Sequence, residues 1–107
     1  MHAEVVLFYS PNSFGTVDAI SYRYGILRIS DLKTGVTRTS EHQLEVYAAL
    51  FCLEYEIDPF SMRGIELRIY QDAKVREYIG DPYIIKGIMD KIVYFDGIIN
   101  RLREEVS

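Results

Sequence analysis

Two aspartates and a lysine carry the clearest chemical potential in this 107-residue chain. Asp18 closes the run Gly15-Thr16-Val17-Asp18, and Asp31 and Lys33 fall within Asp31-Leu32-Lys33-Thr34-Gly35. On adjacent antiparallel strands the two carboxylates can converge on one hard cation, Mg²⁺ or Mn²⁺, because such ions take oxygen ligands. The carbonyl of Leu32 offers a further oxygen. Side chains alternate along a strand, so Lys33 shares a face with Asp31. There its ammonium can orient an attacking water and neutralise charge on a phosphoryl oxygen. The combination suits phosphodiester hydrolysis. The same spacing also describes an ordinary Asp–Lys pair on a solvated strand end, with Asp18 merely capping a turn.

A strand-rich first half must hold these groups. Residues 3–9 form a β-prone run stopped by the turn formers Ser10-Pro11-Asn12-Ser13. Residues 16–22 and 26–33 flank Arg23-Tyr24-Gly25, a hairpin in which Gly25 supplies a positive φ. Period-two alternation puts Asp18, Ile20 and Tyr22 on one face, and Leu27, Ile29, Asp31 and Lys33 on one face of the next strand. From Ser40 the pattern turns helical, with Gln43 at capping-box spacing from Ser40 and Leu44, Tyr47, Ala48, Phe51 and Tyr55 forming a stripe that ends before Asp58-Pro59. Residues 64–70 alternate as a half-buried strand. Residues 83–106 form a long helix whose seam, Ile85, Ile88, Ile92, Phe95, Ile99 and Leu102, is heptad-like and suits either a core or self-association. The order strand, hairpin, helix, strand, helix predicts one α/β or α+β domain over residues 1–107, a mixed four-stranded sheet with flanking helices packed against it.

Taken together, the motifs make the chain resemble the RecB-like branch of the PD-(D/E)XK nuclease superfamily, phage-encoded members in particular. In that branch a hairpin bearing G-x-[VI]-D and then D-x-K-T-G precedes a helix bearing Q-x-x-x-Y. Here these read Gly15 to Asp18, Asp31 to Gly35, and Gln43-Leu44-Glu45-Val46-Tyr47, so the resemblance spans roughly residues 14–70. It implies a restriction-endonuclease-like core and a Mg²⁺- or Mn²⁺-dependent deoxyribonuclease, an exonuclease rather than an endonuclease, serving phage-type DNA recombination, repair or processing. It implies Asp18 and Asp31 as metal ligands, Lys33 as the catalytic lysine, and Gln43 and Tyr47 as supports of the site that contact DNA. Gln43 and Tyr47 are also i and i+4 on one helical face, while Tyr47 lies on the apolar stripe and reads equally as a core tyrosine. Relatives carry another acidic residue or a histidine on an N-terminal helix. Only 17 residues precede Asp18 here, no such helix fits, and Glu4, a harder ligand than His2, is the remaining candidate. The alternative function is a non-catalytic nuclease-fold module that binds DNA or an accessory partner. His42, beside Gln43, is expected to be a solvent-exposed first-turn residue.

Composition bounds these expectations. Hydrophobic residues make up 49% and charged residues 26%, the profile of a chain that folds. A single cysteine, Cys52, excludes an internal disulfide framework and an iron–sulfur cluster within the chain, fits a reducing cytoplasm, and is expected to be a buried apolar residue. Apolar runs fall far short of the roughly 20 residues of a membrane helix, so no membrane is expected and the expected location is the cytoplasm, of a bacterial host if the chain is phage-encoded. A net charge of -4 opposes bulk electrostatic binding of DNA, yet residues 21–42 carry Arg23, Arg28, Lys33 and Arg38 against Asp31 and Glu41, a local +2. DNA as partner therefore implies a homo-oligomer or a partner protein that completes the DNA channel.

Overall fold

The computed structural model describes residues 5–33 and 41–106. In chain order they form β1 (Val5–Ser10), β2 (Ser13–Val17), β3 (Ala19–Arg23), β4 (Ile26–Lys33), α1 (Glu41–Tyr55), a short 3₁₀ turn (Pro59–Ser61), β5 (Gly64–Gln71), β6 (Lys74–Ile79) and α2 (Pro82–Val106). A mixed four-stranded sheet runs in the order β3-β4-β5-β6, and β1 pairs with β2 in a separate two-stranded sheet. Among the described strand pairs only β4 and β5 are parallel, an arrangement that needs a crossover such as the one through α1 rather than a tight turn. An α/β domain with a mixed four-stranded sheet is thus the architecture.

Its composition departs from expectation in three places. The first strand does not join the main sheet, since β1 pairs with β2, Phe8 standing opposite Phe14. The single strand expected over residues 16–22 is two strands, because the chain changes partner at Asp18: Val17 pairs with Val5, whereas Ala19 pairs with Ser30. The fourth place in the sheet belongs to β6, which pairs antiparallel with β5. Both hairpins of the main sheet turn through two residues with positive φ, Tyr24 and Gly25 in one, Asp72 and Ala73 in the other. Such turns match the strand twist.

α1 is the hub. It touches β1, β2, β4, β5 and α2, which is why Leu44, Ala48, Ala49, Leu50, Phe51 and Cys52 are all buried and its apolar surface is broader than one stripe. Across from it, Leu27, Ile29, Leu67 and Ile69 are almost wholly buried, each worth about 1.5–3 kcal/mol in transfer from water. That seam offsets the cost of the one charged side chain buried within it among the described residues, Asp31. α2 lies along α1 and the 3₁₀ turn rather than on the sheet, so only one face of the sheet is helix-covered among the described residues. Ile85 and Met89 anchor its first half, while Phe95 and Leu102 of the expected seam are 57% and 54% exposed. Near its middle, Asp96 accepts hydrogen bonds from Ser10 and Asn12 of the β1–β2 turn. No helix among the described residues is long and apolar enough to cross a membrane.

Candidate active site

The break between β2 and β3 gives Asp18 its position. Freed from a strand ladder, its carboxylate turns to the neighbouring β4, where Oδ2 accepts the Leu32 N–H at 2.7 Å. This reading replaces the simple turn cap. Asp31, at the far end of β4, points to the α1 side with Leu27 and Ile29, and is 7% exposed. The two carboxyl groups interact directly.

Lys33 follows on the same face, its Nζ 3.1 Å from Asp31 Oδ2. The approach is off the line of a hydrogen bond, so that buried oxygen has an ion-pair partner but no well-directed donor. Burial pushes the Asp31 carboxyl above its ordinary value, the hydrogen bond with Asp18 pushes it the same way, and Lys33 opposes both without cancelling them. A site of this kind is short of positive charge. Its donors are all oxygens, which matches a hard divalent cation, and the under-satisfied Oδ2 supplies an atom for such an ion to meet.

On α1, Gln43 Nε2 donates to the Tyr47 hydroxyl at 2.7 Å. The Tyr47 ring also closes on β2. A Cβ placed on Gly15 would stand 2.9 Å from Tyr47 Cε1, so glycine is the residue that lets the ring pack there. Tyr47 is therefore both a partly buried core residue and the brace of the strand that delivers Asp18 three residues later. Gln43, expected to cap Ser40 or support the site, is exposed and fastens Tyr47.

Asp18, Asp31 and Lys33 thus come together, and Gln43 and Tyr47 come together beside β2. Leu32 is tied to Asp18 through its N–H, with its side chain turned to the opposite face of the sheet and 53% exposed. Glu4, like Ser40, Thr34 and Gly35, lies outside the described residues. Among the described residues no three His, Cys, Asp or Glu side chains gather as a metal-holding group. His42 is exposed and stands 3.8 Å from Glu45. Cys52 is buried, and desolvation lifts its thiol to about 11, so it is a neutral apolar residue at physiological pH.

Sequence reasoning passed over the residues in opposite phase to Asp31. Ser30, Leu32 and Tyr70 project from the helix-free face, and with Asp18 and Ala19 they line a cavity of about 310 Å³. The alternation of β4 and β5 contained that signal, but which face the helices would leave open was not written in it. Compared with known proteins, the chain matches no family model, no curated protein and no solved structure.

Proposed function

We propose that the chain is a minimal metal-dependent DNA nuclease of the RecB-like PD-(D/E)XK type, hydrolysing phosphodiester bonds. The observation that carries this reading is the meeting of Asp18 and Asp31 at the end of β4, with the Lys33 ammonium 3.1 Å from Asp31. Asp18 and Asp31, with the Leu32 carbonyl, would hold Mg²⁺ or Mn²⁺, and Glu4 is the candidate for a further ligand. A bound ion of this kind polarises a phosphoryl oxygen and makes water a stronger nucleophile at neutral pH. Lys33 presents a positive charge to the oxygen on which negative charge develops, in a setting partly withdrawn from water where such a charge is worth more than in bulk solvent. Tyr47, held by Gln43, keeps β2 and hence Asp18 in register with Asp31. Water would add to the phosphorus as the bond to one sugar oxygen breaks, the leaving oxygen departing as a hydroxyl and the other strand end keeping the phosphate as a monoester, with no covalent intermediate on the protein.

Linear DNA incubated with the purified chain and Mg²⁺ or Mn²⁺ tests the reading. Degradation is expected for the wild type and a loss of about a hundredfold or more for Asp31→Ala and for Lys33→Ala, the size typical of removing a charge-stabilising group. Equal rates for wild type and both variants would overturn it. DNA bound with measurable affinity but left intact would instead assign the chain to the accessory class, a nuclease fold that binds without cutting.

A further inference from the structure

The helix-free face of the main sheet carries a cavity that adjoins the proposed metal site at Asp18 and Leu32. Its floor is built from the outward residues of β3, β4 and β5, namely Ala19, Ser30, Leu32 and Tyr70, and Asp18 forms its rim. Leu32 and Tyr70 are register partners on the two parallel strands, so their side chains lie side by side. We propose that this cavity binds one unpaired nucleobase of the strand whose phosphodiester is held at Asp18 and Asp31; the inference rests on the nuclease reading.

Four features select a base as occupant. At about 310 Å³ the cavity stands at the small end of ligand sites, which run from ~300 to 1,000 Å³, and so fits one planar ring system rather than a duplex. Its lining is mostly apolar, with an aromatic ring, and every base presents a π-face that stacks on such a ring. Ser30 adds one hydroxyl that both donates and accepts, enough to meet a base edge without dictating which base. Most decisive is Asp18, the one side chain shared by the cavity and the carboxylate pair. A phosphate seated at that pair has its own nucleoside, or the adjoining one, within reach of the cavity on the other side of the sheet end.

Entry of a base has a consequence for substrate choice. Within a duplex a base is stacked on both sides and paired, so it must first be unstacked and unpaired. The cavity therefore selects single-stranded DNA, or the frayed end of a duplex, over internal positions in paired DNA. Tyr70 is the specificity-determining residue. Its ring stands beside Leu32, its register partner on the parallel strand.

Two measurements on the purified full chain test the inference separately from the nuclease reading. The first is cleavage, with Mn²⁺, of single-stranded oligonucleotides carrying an abasic nucleotide at successive positions. In the wild type an abasic residue beside the cut is expected to lower cleavage at that bond five- to a hundredfold, the scale of stacking one base on an aromatic side chain. Tyr70→Ala is expected to cut intact and abasic strands at the same low rate, and Tyr70→Phe to retain the preference for intact strands. The second is binding of a labelled oligothymidine in EDTA, followed by fluorescence anisotropy, where Tyr70→Ala is expected to bind at least fivefold more weakly than the wild type or Tyr70→Phe. Cleavage that ignores both the abasic residue and Tyr70→Ala would overturn the base site while leaving the nuclease reading standing. Absence of cleavage with Tyr70-dependent binding intact would do the reverse. Oligothymidine binding that Tyr70→Ala leaves unchanged, in a variant whose circular dichroism matches the wild type, would remove the base site whatever the activity.

Discussion

At Asp31 burial favours the protonated carboxyl, so its ionised form is the one expected to weigh on the metal-free fold. Burial and the neighbouring Asp18 raise its pKa above the usual 3.8, and Lys33 compensates only in part. A carboxyl that binds its proton more tightly when folded contributes its full stabilisation below the ordinary value, and that contribution is lost as pH rises through the raised value. In EDTA, the stability of Asp31→Asn relative to the wild type should therefore grow as pH climbs from 3.8 through that window and level off above it. The limiting slope is about 1.4 kcal/mol per pH unit for one proton. Urea denaturation at a series of pH values measures it, and a difference that is flat across the window would mean that the ionised carboxylate is fully accommodated by Lys33. Retaining a residue that works against the fold is the pattern of sites where stability yields to function. That Asp31 and Lys33 share a face was legible, because period-two alternation along β4 fixes it. The approach of Asp18 and the donation to it from Leu32 were not, because they depend on a strand break at Asp18 that reading residues 16–22 as one strand conceals.

The elements divide along the same line. α1, α2, β5 and the β3–β4 hairpin carry local signals: three- and four-residue apolar spacing, a clean alternation, and Gly25 at φ +79. β6 carried none. Its turn passes through Asp72 and Ala73 at φ 53 and 60, where a glycine would have announced the hairpin, and its residues are nearly all exposed. Pairing with β5 holds β6, not an apolar face of its own. Alanine in the left-handed region costs about 1–2 kcal/mol, and glycine at the same place costs about 0.4–1 kcal/mol through the freedom it adds to the unfolded chain. Ala73→Gly is thus expected to stabilise the protein by about 0.5–1 kcal/mol, seen as a higher urea midpoint at unchanged slope. A lower midpoint would show that the turn is not strained. The β2–β3 break was illegible for the opposite reason, since β-prone residues flank Asp18 on both sides and tertiary pairing decides that one strand stops there.

For the whole molecule, charge sets how nucleic acid would be held. Of the four cations in residues 21–42, Arg28 and Lys33 are already held in ion pairs. Arg28 is paired with Glu66 at 2.6 Å and Lys33 with Asp31, while Arg68 on the same open face meets Glu66 and Glu77. The open face of the sheet therefore offers few unpaired cations to phosphates among the described residues, and each phosphate neutralised on a single strand contributes a slope of about -0.7 in log K against log salt. One copy of the chain should therefore bind single-stranded DNA with a slope no steeper than about -2, weakly but with little loss at high salt, because stacking rather than ion release would carry the affinity. α2 offers a way past that limit. Its outer half leaves Phe95 and Leu102 exposed on a heptad-like stripe that continues the buried Ile85 and Met89, the geometry by which a second copy can pack helix against helix. Pairing two copies would double the phosphates in contact. The slope is accordingly expected to steepen at protein concentrations where light scattering reports a dimer, and to stay shallow in a Phe95→Glu, Leu102→Glu variant that remains 12.4 kDa in solution. A slope steeper than about -4 for a chain shown to be monomeric would contradict this account of the charges, and would direct attention to Arg38, the one Lys or Arg outside the described residues.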